Sequence, residues 1–494
     1  MTRTSRAPRL PAGRSLLALA VVVAAAVAGH RPAMAQQPAS HLDRLPPIID
    51  REVFFGDPEI AGAQLSPDGR FVSFLRTHAG QMNVWVKRFE EPFDAARPIT
   101  ADSTRPVTSY FWSPDGRWIL YAQDKGGDEN FRIYRVDPAA APAAGSTVPA
   151  ATDLTPYENV QARIVATRWT IPDRVMVALN DRDPRLHDIY WVDLASGERE
   201  LVFRNEINAV DFTADRAGRL RLATRLDAAG GTEILSIDGD EPSVVYTCSS
   251  EEQCGVLRFH PDERRVYMNT NRGDVDRSRL VLFDPQSGSE EVVEEDPEGE
   301  VDFATALFGT ESGELQATLY VADRLRIYFR DPALARDYER VRAAVGDGDI
   351  YLGSRTRDEM LHLVTVTSDV DPGAAYLLDR RTGDVTFLFR PRPDLPRERL
   401  ARMQPVRYPA RDGMEVPAYL TVPQGVEPRG LPAIVLPHGG PWARDTWGFD
   451  AFAQFLANRG YAVLQPNFRG STGFGKSFLN AGNREWGTGA MQHD

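Results

Sequence analysis

Three stretches of the 494-residue sequence place residue types at spacings that could do chemistry. The first, RGSTGFGKS at 469–477, fits the pattern G-x-x-x-x-G-K-[ST], in which backbone N–H groups and a lysine cradle a phosphate. The second is His438-Gly439-Gly440, where an apolar run ends in a tight turn. A glycine turn of this kind lets a backbone N–H come within hydrogen-bond reach of a carbonyl oxygen as it becomes an oxyanion. The third is the pair Cys248 and Cys254 in TCSSEEQCG. The eight histidines are scattered without an H-E-x-x-H pattern, and G-x-S-x-G occurs nowhere. No metal and no cofactor are expected.

The phosphate pattern needs a sustained helix directly after its Lys-Ser, with the helix N-terminus facing the anion. Here Gly482 and Gly487 follow at intervals of five residues from Ser477, which argues against that helix. No nucleotide partner is expected, and Lys476 reads as a surface residue of a glycine-rich loop.

The N-terminus points to export. Arg3, Arg6, Arg9 and Arg14 precede an apolar stretch from Leu16 to Ala28, followed by Ala33-Met34-Ala35. That is a secretory leader (1–35) with cleavage expected after Ala35, shorter in its apolar part than the ~20 residues of a membrane span. No stable membrane anchor is expected, and the destination is periplasmic or secreted. Cleavage removes five arginines and no acid, taking the formal charge from −13 to −18. So acidic a chain is a poor partner for nucleic acid. In an exported protein Cys248 and Cys254 could close a small disulfide loop, with unpaired thiols as the alternative.

The elements that must position these residues fall into two textures. LSPDGRFVSFL (from Leu65) and WSPDGRWILYA (from Trp112) are clear repeats, with weaker copies from Trp169, Phe212, Phe259, Phe308 and Leu352. Each reads as a strand end, a Pro/Asp/Gly turn, and an alternating strand. A spacing mostly in the forties predicts a β-propeller of about seven blades over 61–401, after an N-terminal arm at 36–60. QDKGGDEN (123–130) reads as a solvated hairpin loop, and 138–151 as a low-complexity insertion.

From 402 onward strand and helix alternate. VRYPARDGMEVPAYLTVP predicts a hairpin around Asp412-Gly413, and LPAIVLPHGGP a continuous strand buried on both faces of a parallel sheet. FDAFAQFLANRGY predicts a helix with Phe449, Phe452, Phe455 and Leu456 on its apolar stripe and Gly460 as its stop. Residues 402–494 thus read as the N-terminal, incomplete part of an α/β-hydrolase domain.

PHGGPWARDTWGFDAFAQFLANRGYAVLQPNFRGSTGFGKSFLNAG resembles the prolyl oligopeptidase family of serine peptidases, near its dipeptidyl and acylaminoacyl peptidase branches. REVFFGDPEIAGAQLSPDGR and RDGMEVPAYLTVP are similar to that family too, so the resemblance runs from about Ile48 to Asp494. It implies a propeller followed by a hydrolase domain, with short peptides as substrates. It also implies that Gly440, shaped by Gly439, gives one oxyanion donor, and that His438, Arg444, Asp445 and Arg469 are structural residues of the surrounding loops. The family's Ser-Asp-His triad begins in a G-x-S-x-G elbow, so all three members are expected beyond Asp494, leaving a truncated, inactive chain. The other readings are a non-catalytic propeller that binds a partner and carries a hydrolase remnant, and an esterase using the same triad. Oligomeric state is not legible.

Overall fold

The structure, a computed structural model, describes residues 41–487 and 489–494. The expected leader and cleavage site lie outside the described residues. Residues 45–494 form one compact unit.

Three of the repeats are closed by the same local chemistry. Ser66 Oγ donates to Asp68 Oδ1 at 2.7 Å and accepts the Phe71 N–H at 2.9 Å, while Gly69 N–H reaches Ser66 O at 2.9 Å. Ser113, Asp115, Gly116 and Trp118 repeat the arrangement, and Thr356, Asp358 and Leu361 repeat it again with threonine for serine. The residue before the return strand is left-handed: Gly69 at φ +73° and Gly116 at φ +71°. In the weaker copies Glu263 and Glu359 hold the same conformation, at +59° and +57°, a strained choice that explains why those repeats look worn.

Seven antiparallel sheets follow one another among the described residues, spanning 61–98, 110–153, 162–203, 211–248, 254–294, 303–329 and 349–389. Within each, strands pair in chain order; six have four strands and the sixth has three. After that sheet comes the helix Pro332–Val345, capped by Asp331, with Tyr338 and Val341 buried against Ile350, Val364 and Leu378 of the seventh sheet. Apolar faces are covered by neighbours: Leu120 and Ile133 of the second sheet share a core with Val175, Val177 and Leu179 of the third. The last sheet meets the first, through the cluster Leu65, Val72, Leu361 and Leu363 and the bonds Leu65 N–H to Ser354 Oγ (3.0 Å) and Arg357 N–H to Pro67 O (2.8 Å). This succession is consistent with a propeller. Cys248 and Cys254 are joined in a disulfide linking the last strand of the fourth sheet to the first strand of the fifth.

The remaining chain forms an eighth sheet, ordered Met403–Pro409, Glu415–Thr421, Ala462–Pro466, Ala433–Val435. The first pair is the hairpin turning at Asp412-Gly413, and only the last pair is parallel. The strand read from LPAIVLPHGGP is Ala433–Val435, three residues at the edge of the sheet, with Val435 62% exposed. The helix Ala451–Ala457 differs from expectation. Its buried face is Ala453, Gln454 and Ala457, because small side chains let it lie close to the 369 and 401 backbone, and Phe452 stands 60% exposed. Phe455 packs instead edge-on to Phe54 of the N-terminal arm, at 6.0 Å.

Gln454 is the joint between the seventh sheet and this last one. Its amide donates to Asp369 O (2.8 Å) and Ala401 O (2.7 Å) and accepts the Ala401 N–H (2.9 Å), all buried. Gln454→Ala strands three buried polar groups and should lower stability by about 2–3 kcal/mol in urea unfolding. A loss under about 0.5 kcal/mol would show that water replaces the amide.

Candidate active site

The edge strand ends at Leu436, whose N–H bonds Leu464 O at 2.8 Å, and the chain then turns through His438-Gly439-Gly440. Gly440 sits at φ +134°, and a Cβ there would come within 2.8 Å of Trp442 N and 3.2 Å of Ala443 N. Both the conformation and the space demand glycine. Gly439 and Gly440 are exposed, and neither donates its N–H to another described residue. The turn therefore offers free backbone donors at its tip.

His438 fixes the turn from below. Its ring stacks on Phe468 at 4.5 Å, with Nδ1 2.8 Å from Gly439 O and Nε2 2.8 Å from Ser471 Oγ. Ser471, fully buried, donates to Phe468 O at 2.6 Å and so presents a lone pair to the ring. The two loops are tied again by Thr472 N–H to Ala443 O, at 3.0 Å.

Arg444 leaves this cluster and enters the sixth sheet. Nη1 donates to Val321 O (2.8 Å) and Nη2 to Ala322 O (3.3 Å), and its guanidinium lies over Phe474 at 4.2 Å. Burial holds it below the ordinary guanidinium value. Asp445 is held through its backbone: its N–H donates to Asn467 Oδ1 (2.7 Å), and Asn467 Nδ2 returns a bond to Asp445 O (3.1 Å). Burial pushes the Asp445 carboxyl up, and its Oδ2 is buried without a partner. Asn467 and Ser471 escaped sequence reasoning, since a polar residue after a buried strand looks like any loop residue until its partners are placed.

The 469–477 stretch has a different occupant from a phosphate. Gly475 N–H donates to Asp302 Oδ2 (3.1 Å), Lys476 N–H to Asp276 O (2.9 Å) and Ser477 N–H to Asp276 Oδ1 (2.8 Å). The following helix, Lys476–Asn480, is a single short turn. Lys476 is not a free surface residue: Nζ donates to Asn271 O at 3.0 Å and to Gly273 O. Carboxylates and carbonyls of the fifth sheet's loops thus fill the donor set that the pattern would aim at an anion. Cys248 and Cys254 lie apart from the His438–Gly440 turn, in the fourth and fifth sheets.

Arg469 turns away from the glycine turn and forks between Asp412 (2.7 and 3.0 Å) and Asp494 (2.7 Å and beyond). The Arg469 hydrogen bond holds the Asp412 carboxyl down to about 2. A depressed carboxylate adds stability above its unfolded value near 4 that is lost as pH falls through the folded value. The 410–414 hairpin should therefore loosen between about pH 4 and pH 2. Arg469→Gln should flatten that part of the profile, read as hydrogen exchange of the hairpin amides against pH; an unchanged profile would place the titrating group elsewhere.

Comparison with known proteins bears on the family and the fold. The prolyl oligopeptidase family profile matches residues 447–493. Dipeptidyl aminopeptidase BIII of Pseudoxanthomonas mexicana is 37% identical over 504 residues, covering 98% of this chain and 70% of that protein. Dipeptidyl peptidase family member 6 of Caenorhabditis elegans is 30% identical over 478 residues, covering 89% of this chain and 63% of its own length. A puromycin-hydrolyzing peptidase of Mycobacterium tuberculosis superposes with a TM-score of 0.63 at 18% identity, over 90% of this chain and 71% of that one, a likeness of fold. By the identity and coverage of its relatives, the chain belongs to the prolyl oligopeptidase family.

Proposed function

We propose that these residues form the seven-bladed propeller and the first part of the hydrolase domain of an exported serine peptidase acting on short peptides. Release of dipeptides or of acylated amino acids is the activity that its relatives' names support. The observation that carries the reading is the Gly440 turn: a free backbone N–H, in a conformation and a space that exclude every side chain, at the C-terminal edge of the hydrolase sheet. The propeller would admit short chains and keep folded proteins out.

The nucleophile belongs to a G-x-S-x-G elbow that the 494 residues do not contain. The chain by itself is accordingly proposed to lack triad-dependent hydrolysis, retaining at most the small effect of substrate binding and one oxyanion donor. Two measurements test this. The pure chain should neither turn over dipeptidyl or acylaminoacyl chromogenic substrates nor be labelled by a serine-directed phosphonate; either event sinks the assignment of the nucleophile.

The second measurement uses a polypeptide extended through a G-x-S-x-G elbow and the Asp and His that follow it. It should be active, and Gly440→Val should reduce kcat by ~10²- to 10³-fold, as for loss of one oxyanion donor. An extended, folded protein whose activity survives Gly440→Val would remove the turn from the mechanism. Inactivity of every extended form would favour a propeller that only binds a partner.

A further inference from the structure

At the end of the sheets remote from the glycine turn lies a cavity of about 680 Å³. Its wall is made by the turn ends of the first strands of the third to seventh sheets, at 165–170, 211–216, 256–259, 308–311 and 355–357. The opposition of the two ends follows from the pairing. Strand Cys254–Phe259 ends at the cavity, and its antiparallel neighbour Val266–Thr270 runs away from it to Asn271, whose carbonyl holds Lys476.

Five arginines line the cavity: Arg168, Arg216, Arg258, Arg355 and Arg357. Three acids stand on its wall: Asp215 pairs with Arg219 at 2.7 Å, Glu311 pairs with Arg357, and Asp211 accepts the Phe212 N–H at 2.8 Å. Arg357 apart, the arginines hold mostly neutral partners. Arg168 donates to the carbonyls of Thr167, Ala214 and Asp215, and Arg216 to those of Glu311 and Ser312, with Glu263 3.9 Å from its Nε. Arg355 reaches Gln316 and Phe308 O, with Glu359 at 3.6 Å.

Arg258 has nothing of the kind. Its guanidinium makes no hydrogen bond or ion pair with any described residue, its Nε is buried without a partner, and it lies over the Phe308 ring at 4.8 Å. Arg216 Nη1 and Arg258 Nη2 stand 3.0 and 3.2 Å from the point a Gly313 Cβ would occupy, so the two cationic heads are within about 6 Å of each other. Burial first, then the charges of Arg216 and Arg168, hold Arg258 below the ordinary guanidinium value. A chain of formal charge −13 thus gathers like charges around one arginine that lacks a counter-ion. A half-buried cation without a counter-ion is unfavourable, and the planar fork of arginine matches carboxylate and phosphate oxygens.

We infer that this cavity binds an oxyanion, a carboxylate or phosphate group gripped by Arg258 with Arg168 and Arg216 around it. The site is separate from the glycine turn, and its occupation does not depend on the peptidase reading. Two sources can supply such a group: free inorganic phosphate, or the side-chain carboxylates of an acidic peptide.

Calorimetric titration of the chain at constant ionic strength separates them, using inorganic phosphate, an end-blocked triglutamate peptide and the matching triglutamine peptide. Phosphate or triglutamate should bind and triglutamine should not; the tighter of the two binders identifies the source. Arg258→Gln and Arg168→Gln should each weaken binding roughly tenfold or more, the scale of a charge-assisted hydrogen bond. Arg429→Gln, an exposed arginine of the 422–432 loop, should leave it unchanged. In anion-free buffer Arg258→Gln should melt close to or above the parent temperature, because the guanidinium it removes has no hydrogen bond or ion pair to lose, only its place over the Phe308 ring. The inference is overturned if neither anion binds at millimolar concentration, if Arg258→Gln binds as the parent does, or if Arg258→Gln melts well below the parent without anion.

Discussion

A four-stranded antiparallel sheet has two faces, and in this chain both are apolar; neither can be covered from within the sheet. That constraint organises the molecule. Val175 and Val177 of the third sheet need Leu120 and Ile133 of the second, and Leu65 and Val72 of the first need Leu361 and Leu363 of the last. Covering every face this way closes the succession on itself. The first strands are then brought together, and their turn ends make a common wall that no single sheet could form.

The second part of the chain is held by polar contacts together with the apolar cluster in which Phe449 and Phe455 pack on Ile49, Phe54 and Leu400. Gln454, Asn458, Arg444 and Lys476 each spend a side chain on main-chain groups of the propeller or of the N-terminal arm. Backbone carbonyls are fixed by the sheets that carry them, so such bonds set position closely while covering little area. The glycine turn inherits that precision through Ser471, Thr472 and Ala443.

Much of this was legible in the sequence, where turn chemistry repeats at a regular interval. Ser66-Pro67-Asp68-Gly69 and its copy at 113–116 announce their own hydrogen bonds, because serine, aspartate and left-handed glycine close that turn locally. The Asp412-Gly413 hairpin was visible for the same reason. What stayed hidden was non-local. The Phe452 ring is 60% exposed while Ala453 and Ala457 beside it are buried, because the helix is seated by the bonds of Gln454 to the 369 and 401 backbone. The role of Lys476 could not be read from its own motif at all, since its partners lie about 200 residues earlier.

The socket that Asp276 and Asp302 make for the 475–477 backbone joins two distant positions into one unit of variation. A side chain at 475 would overlap the Asp276 carboxylate and would have to adopt φ +92°. A residue without a side-chain acceptor at 276 would leave Ser477 N–H without its partner. Neither position can change alone without cost, so among related chains glycine at 475 and an acid at 276 should be kept or lost together. Such a pair, far apart in sequence, would mark descent of the fifth sheet and the 475–477 loop as a single inherited piece.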